Sequence, residues 1–116
     1  YAFCFKVWFE GELDDKGWVI DFGCFKRNGV KEWMKNMFDH TTCVAGDDPE
    51  LDLFEEMDRR GIIDLRVLED GVGCEKFAQY VAQYLQKIVD KENQGRAKVY
   101  KVQCWEHEDN MAEYYV

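Results

Sequence analysis

The stretch Phe3-Cys4-Phe5-Lys6-Val7-Trp8-Phe9-Glu10-Gly11 decides how the chain is read. Phe3, Phe5, Val7 and Phe9 alternate with Cys4, Lys6, Trp8 and Glu10, and a period of two marks a β-strand with one strongly apolar face. Gly11 to Gly17 forms a turn, and Trp18-Val19-Ile20-Asp21 resumes extended structure. From Phe22 to Phe38 the spacing becomes helical, with Phe22, Phe25, Val30, Trp33, Met34 and Met37 near one side despite Gly29. Asp48-Pro49 supplies an N-cap and a first-turn proline for a short helix through about Arg59, ended by Gly61. Ile62, Ile63, Leu65, Val67 and Leu68 form an apolar connector, broken by Gly71 and Gly73. A longer helix follows from Cys74 to about Val89, with Phe77, Val81, Tyr84 and Ile88 along one stripe. After a turn at Asn93-Gln94-Gly95, Ala97 to Glu106 alternates again, and Glu108-Asp109-Asn110 leads into a last strand, Met111 to Val116. Strands, then helices, then a hairpin predict an α+β fold, an antiparallel sheet with helices packed on one face.

A chain of 116 residues, 47% hydrophobic and 16% aromatic, suffices for one compact domain, assigned to residues 1–116. The strand edges at residues 3 to 9 and 97 to 116 predict a homo-oligomer, expected as a trimer, tetramer or hexamer. The formal net charge is −9, from 24 acidic and 15 basic residues spread along the chain. That balance disfavours nucleic acid and anionic membrane as partners, and a polyanionic substrate would need a local basic patch. The five cysteines are odd in number and irregularly spaced, without signal peptide or long apolar run, which predicts a reduced, cytoplasmic protein with thiols as small core residues.

Four further features share one order and similar separations: Gly11-Glu12-Leu13-Asp14, then Gly17-Trp18-Val19-Ile20-Asp21-Phe22 with Lys26, then Phe38-Asp39-His40, and Val102-Gln103-Cys104-Trp105-Glu106. A fifth, Gly73-Cys74-Glu75-Lys76-Phe77-Ala78, opens the long helix. Together they resemble the 6-pyruvoyl-tetrahydropterin synthase / 6-carboxytetrahydropterin synthase family of tunnelling-fold pterin enzymes. The resemblance implies a four-stranded antiparallel sheet with two helices inserted between the strand pairs, in subunits that assemble side by side into a barrel. It also implies lyase chemistry on 7,8-dihydroneopterin triphosphate. One branch yields the 6-pyruvoyl product, and the bacterial branch yields 6-carboxytetrahydropterin for 7-deazaguanine (queuosine) synthesis.

Carried over residue by residue, the resemblance makes Asp39 and His40 the catalytic Asp-His pair and Glu106 the glutamate that anchors the pterin. The residue types suit these tasks. A histidine oriented by a carboxylate can pass a proton, and a carboxylate can accept two hydrogen bonds from a pterin edge. On their own, an Asp-His pair after a helix reads as a loop cap and a strand glutamate as a solvated side chain. Cys74 and Glu75 join the substrate-binding candidates, Cys74 standing where the family has a hydroxyl residue. Glu75 also has a plain account, as a first-turn carboxylate complementing the helix dipole. Cys43 lies near His40 in sequence, where an imidazolium could lower a thiol pKa, and His107 reads as a surface residue.

The family's cofactor is a zinc ion held by three histidines, with a catalytic cysteine in a nearby loop. This sequence has two histidines, His40 and His107, so no metal ligand is assigned among its residues. Counting back from Gly11 without a gap sets Tyr1 opposite the last histidine of the family's His-Gly-His motif. With two extra strand residues, Tyr1 is instead the aromatic that follows it. Either alignment predicts a domain that begins downstream of the family's first strand. Two functions are therefore carried forward: a zinc-dependent pterin synthase whose ligands lie upstream of Tyr1, and a metal-free pterin-binding or assembly module of the same fold.

Overall fold

Alternation in the first strand and in the last hairpin builds one sheet, and the helical stripes cover one side of it. The computed structural model describes residues 3–116; Tyr1, on which the two alignments differ, lies outside the described residues. In chain order the elements are β1 (Phe3–Gly11), α1 (Gly23–Arg27), α2 (Val30–Phe38), β2 (Thr42–Ala45), α3 (Leu51–Arg59), β3 (Leu65–Leu68), α4 (Cys74–Asn93), β4 (Ala97–Glu106) and β5 (Asn110–Tyr115). The α+β class with an antiparallel sheet is observed, in the order β1-β4-β5. The described residues contribute three strands to this sheet, where the resemblance implies four.

β4 is the central strand, and its alternation carries a break. Trp8 pairs with Lys101 but Phe9 pairs with Val99, so Tyr100 is left over as a bulge. The buried row therefore runs Ala97, Val99, Val102, Cys104, with a three-residue step across the bulge. At this point the Gln86 side chain of α4 accepts the Val99 N–H at 2.8 Å, satisfying a backbone donor close to the bulge. α4 lays Phe77, Ala78, Val81, Ala82, Leu85, Ile88 and Val89 on that row, and these residues with Ile20, Cys24 and Leu68 form the core. Three alanines, Ala78, Ala82 and Ala97, bring helix and strand close together.

Three local readings are corrected. Trp18 to Asp21 forms no strand: Asp14 organises a tight turn in which its carboxylate accepts the N–H groups of Lys16 and Trp18, each at 2.9 Å. The helix expected over residues 22 to 38 is two helices, because Gly29 adopts a left-handed φ of 66° that ends α1 and starts α2. The apolar connector holds a strand, β3, which pairs in parallel with β2 through the α3 crossover. α3 itself opens at Leu51, after an Asx turn in which Asp48 accepts the Glu50 N–H at 2.8 Å.

Val99→Ala removes two buried methyl groups from the middle of the central strand and should lower stability by about 2 kcal/mol. Val67→Ala, on the exposed side of β3, should change it by less than about 0.5 kcal/mol. Urea unfolding of both variants checks the difference.

Candidate functional site

Three of the five motifs, those carrying Asp39-His40, Cys74-Glu75 and Glu106, lie beside a phenylalanine, and those three rings pack together. Phe38 closes α2 just before Asp39-His40, Phe77 lies in the first turn of α4, and Phe3 pairs with Glu106 across the sheet. The Phe3 and Phe77 ring centroids are 5.4 Å apart, Phe38 and Phe77 5.2 Å, and Phe3 and Phe38 6.3 Å. Phe5 and Trp33 extend the cluster, and Trp33 stacks flat on Tyr84 of α4 at 3.8 Å. Aromatic contacts of this kind contribute roughly 0.5–1.5 kcal/mol each beyond area burial. The ends of three separate elements are thus held around one apolar platform.

Beyond the core, the inward row of β4 continues to Glu106, which is half-buried. The Cys74 thiol donates a hydrogen bond to Glu106 Oε2 at 3.7 Å. Cys104, two residues back on the same face of β4, is fully buried and neighbours Cys74. Burial pushes the Cys104 thiol far up, reinforced by its contact with Cys74. The Cys74 thiol is also raised, by burial first and also by the negative charge of Glu106, against a lowering influence of the neighbouring Cys104 thiol. The two thiols form a protonated, polar insert at the edge of an apolar core, next to the Glu106 carboxylate.

Asp39 and His40 are placed differently. Asp39 caps α2 through its N–H to the Lys35 carbonyl at 2.9 Å, and His40 takes a left-handed φ of 55° that reverses the chain into β2. His40 Nε2 lies 3.5 Å from Asp39 Oδ1, and the imidazole is 94% exposed. The structure therefore brings Cys74 to Glu106 directly, and ties Asp39-His40 to them through Phe38 rather than by a hydrogen bond. Glu75 is exposed and folds back over Gly73, where an added Cβ would lie 3.5 Å from Oε2, a placement that fits the helix-start account. Cys43 is half-buried and its thiol is pushed up by burial, opposite to the direction an activated nucleophile needs.

Sequence reading missed Arg66 and the rings. Arg66 on β3 donates to the Asn36 carbonyl at 3.1 and 2.9 Å and pairs with Asp64 at 2.6 Å, pinning the end of α2 that carries Asp39. No local signal marks it, since its partner Asn36 lies 30 residues away in the chain. The phenylalanines did carry one: Phe38 and Phe77 each fall within a candidate motif. Beside them Phe3, Phe5, Lys31, Met34, Lys35, Phe38 and Asp39 line a groove of about 530 Å³.

Among the described residues no group of three or more His, Cys, Asp or Glu side chains converges to hold a metal ion, so they do not fit the family's three-histidine zinc centre. No helix among them is long and apolar enough to cross a membrane.

The family model described as 6-pyruvoyl tetrahydropterin synthase matches residues 1–116. Among solved structures the chain resembles the crystal structure of an uncharacterized protein from Wolinella succinogenes. The two share 20% identity and a TM-score of 0.72, over 94% of this chain and 73% of the other. A search of curated proteins finds no match.

Alkylation with iodoacetamide at mildly alkaline pH should modify the exposed Cys4 first and leave Cys24 and Cys104 unreacted in the folded protein. Peptide mass spectrometry over a time course reads the order directly.

Proposed function

The chain belongs to the 6-pyruvoyl tetrahydropterin synthase family, and from that premise we propose that it is a lyase-type pterin synthase acting on 7,8-dihydroneopterin triphosphate. The observation that carries this reading is the seat of Glu106. A carboxylate at the end of the buried row of β4 stands beside an aromatic platform, and its hydrogen-bond partner there is a neutral thiol. A pterin edge presents two parallel N–H donors, and a carboxylate that accepts both gains two charge-assisted hydrogen bonds, roughly 1.5–3 kcal/mol each. Cys74 and Glu75, at the opening of α4, complete the binding side of this site.

Asp39 and His40 serve as the proton-transfer pair. The carboxylate orients the imidazole, and the imidazole exchanges protons with the reacting side chain of the substrate. The triphosphate needs positive charge on an otherwise acidic chain, and Lys31 and Lys35, on the groove beside Asp39, are suited to meet it. Zinc, the family's cofactor, finds no fitting ligand set among the described residues, and the proton transfer assigned to Asp39 and His40 is not routed through a metal.

Residues 1–116 act as one domain of this fold in the cytoplasm. Family members are usually oligomeric, and the site is read as lying where subunits meet, since β1 and β5 each leave an edge unpaired among the described residues. Sedimentation should show a trimer, tetramer or hexamer; a clean monomer at tens of micromolar would remove this part of the reading.

Glu106→Gln keeps the shape but sets an amide donor against a ring donor, so pterin affinity measured by calorimetry should fall at least about tenfold, or ~1.4 kcal/mol. His40→Ala should leave binding intact and stop turnover of dihydroneopterin triphosphate in the full-length protein. Unchanged affinity in the Gln variant, or no pterin binding by the unaltered protein, would overturn the assignment. Binding without turnover in the unaltered protein would instead mark a binding module.

A further inference from the structure

Cys74 has its polar partner inside the protein. It opens α4, directly above the point where the inward row of β4 passes from the buried Cys104 to the half-buried Glu106. Its thiol donates to Glu106 Oε2 at 3.7 Å, and this is the side-chain hydrogen bond that the Glu106 carboxylate receives among the described residues. A carboxylate at a strand end, with free rotation about its last bonds, loses side-chain entropy when it is fixed for a ligand. One directional contact from a residue anchored in a twenty-residue helix reduces that loss before the ligand arrives.

We propose that Cys74 is a positioning residue for pterin binding: its thiol holds the Glu106 carboxylate in the orientation that presents both oxygens to the ligand edge. This role rests on the reading of Glu106 as the anchor. The chemistry of the thiol suits the task. A lysine or arginine here would neutralise Glu106 and compete for the lone pairs the ligand needs, whereas an S–H occupies one acceptor site and leaves the charge in place. A carboxylate offers about four acceptor sites, so one taken on Oε2 still leaves one on that oxygen and two on Oε1. Cys104, fully buried two residues back on the same face of β4, closes the arrangement from below. Burial holds both thiols in their protonated form, so Cys74 persists as a donor and is poorly suited to act as a nucleophile.

The test uses neopterin as the probe and calorimetry on the intact protein. Cys74→Ala should weaken binding roughly three- to tenfold, less than loss of a full charge-assisted hydrogen bond because the thiol is a weak donor. Cys74→Ser, which restores a donor, should recover affinity to within about twofold of the unaltered protein. In a Glu106→Ala background the Cys74→Ala change should add no further loss, because no side-chain acceptor is left for the thiol to position. A ligand-free readout accompanies these. The Cys74 S–H stretching band, isolated as the difference between the unaltered and Cys74→Ala Raman spectra, should move to higher frequency in Glu106→Ala. If the unaltered protein binds neopterin and Cys74→Ala binds it equally well, the positioning role is wrong while the anchor reading stands. A loss that persists in the Glu106→Ala background, or a band indifferent to Glu106→Ala, overturns the role in the same way. Failure of the unaltered protein to bind neopterin overturns the anchor reading and this role with it.

Discussion

The fold depends on the packing of α4 against the central strand β4. Every other strand of the main sheet is hydrogen-bonded to β4, and five of the most completely buried residues, Val81 and Val89 on the helix and Val99, Val102 and Cys104 on the strand, belong to these two elements. Two periods have to be matched there, the 3.6-residue stripe of the helix and the two-residue alternation of the strand. The bulge at Tyr100 makes the match possible over ten residues of β4, by adding one residue to the step between Val99 and Val102. If the same ten residues alternated without the bulge, Lys101, Gln103 and Trp105 would face the helix, and Val102, Cys104 and Glu106 would face away. One inserted residue thus decides which side of the sheet carries the candidate site.

The site is an extension of this core rather than a separate construction. Its members sit where helices and strands end, on α2 at Asp39, on α4 at Cys74 and on β4 at Glu106, and the phenylalanines immediately inside those ends hold them together. Apolar packing fixes the backbone ends, and the polar side chains then need short contacts to choose an orientation. Arg66 on the Asn36 carbonyl and Cys74 on Glu106 are contacts of that kind. The outer face of the sheet follows different rules: Lys101 lies 4.2 Å over the Trp8 ring and Lys6 4.9 Å over Trp105, so the aromatics there are covered by cations instead of by helix.

Period-two and period-3.6 patterns made β1, β4, β5 and α4 legible, because each buries one face and repeats it for at least six residues. The shorter elements were not legible for the same physical reason. Four-residue strands such as β2 and β3 contain too few repeats to separate a strand from a connector, and their parallel pairing is a long-range choice made through α3. Gly29 was visible, but whether a glycine is tolerated inside a helix or breaks it depends on where the flanking residues must point. Phe25 has to stack on Phe9 at 5.3 Å while Phe38 reaches Phe5 at 5.1 Å, and the left-handed turn at Gly29 allows α1 and α2 to take separate directions. At the site, residue types and order were readable as a resemblance, whereas the direct partnership of Cys74 with Glu106 was not. Thirty-two residues separate them, and it takes the docking of α4 on β4 to bring them together.

The contrast between the two halves of the site also bears on how it would operate. Glu106 and Cys74 are enclosed enough for a weak thiol donor to matter, since competition from water falls as a group leaves solvent. His40 has the opposite surroundings, with its imidazole 94% exposed and a left-handed backbone turn holding it outward. A histidine so open exchanges its proton with bulk water as readily as with a ligand. Its proposed role as a proton-transfer group therefore carries a structural requirement: the imidazole has to be enclosed while substrate is bound. The edges of β1 and β5 left unpaired among the described residues give a second copy a place to bind. The groove along Phe3, Phe5 and Phe38 reaches Asp39, so apolar surface of the core leads to the residue beside His40. Under the proposed function, assembly and proton transfer would share one cause: a subunit contact that covers the half-buried apolar groove would also remove water from the Asp39-His40 pair.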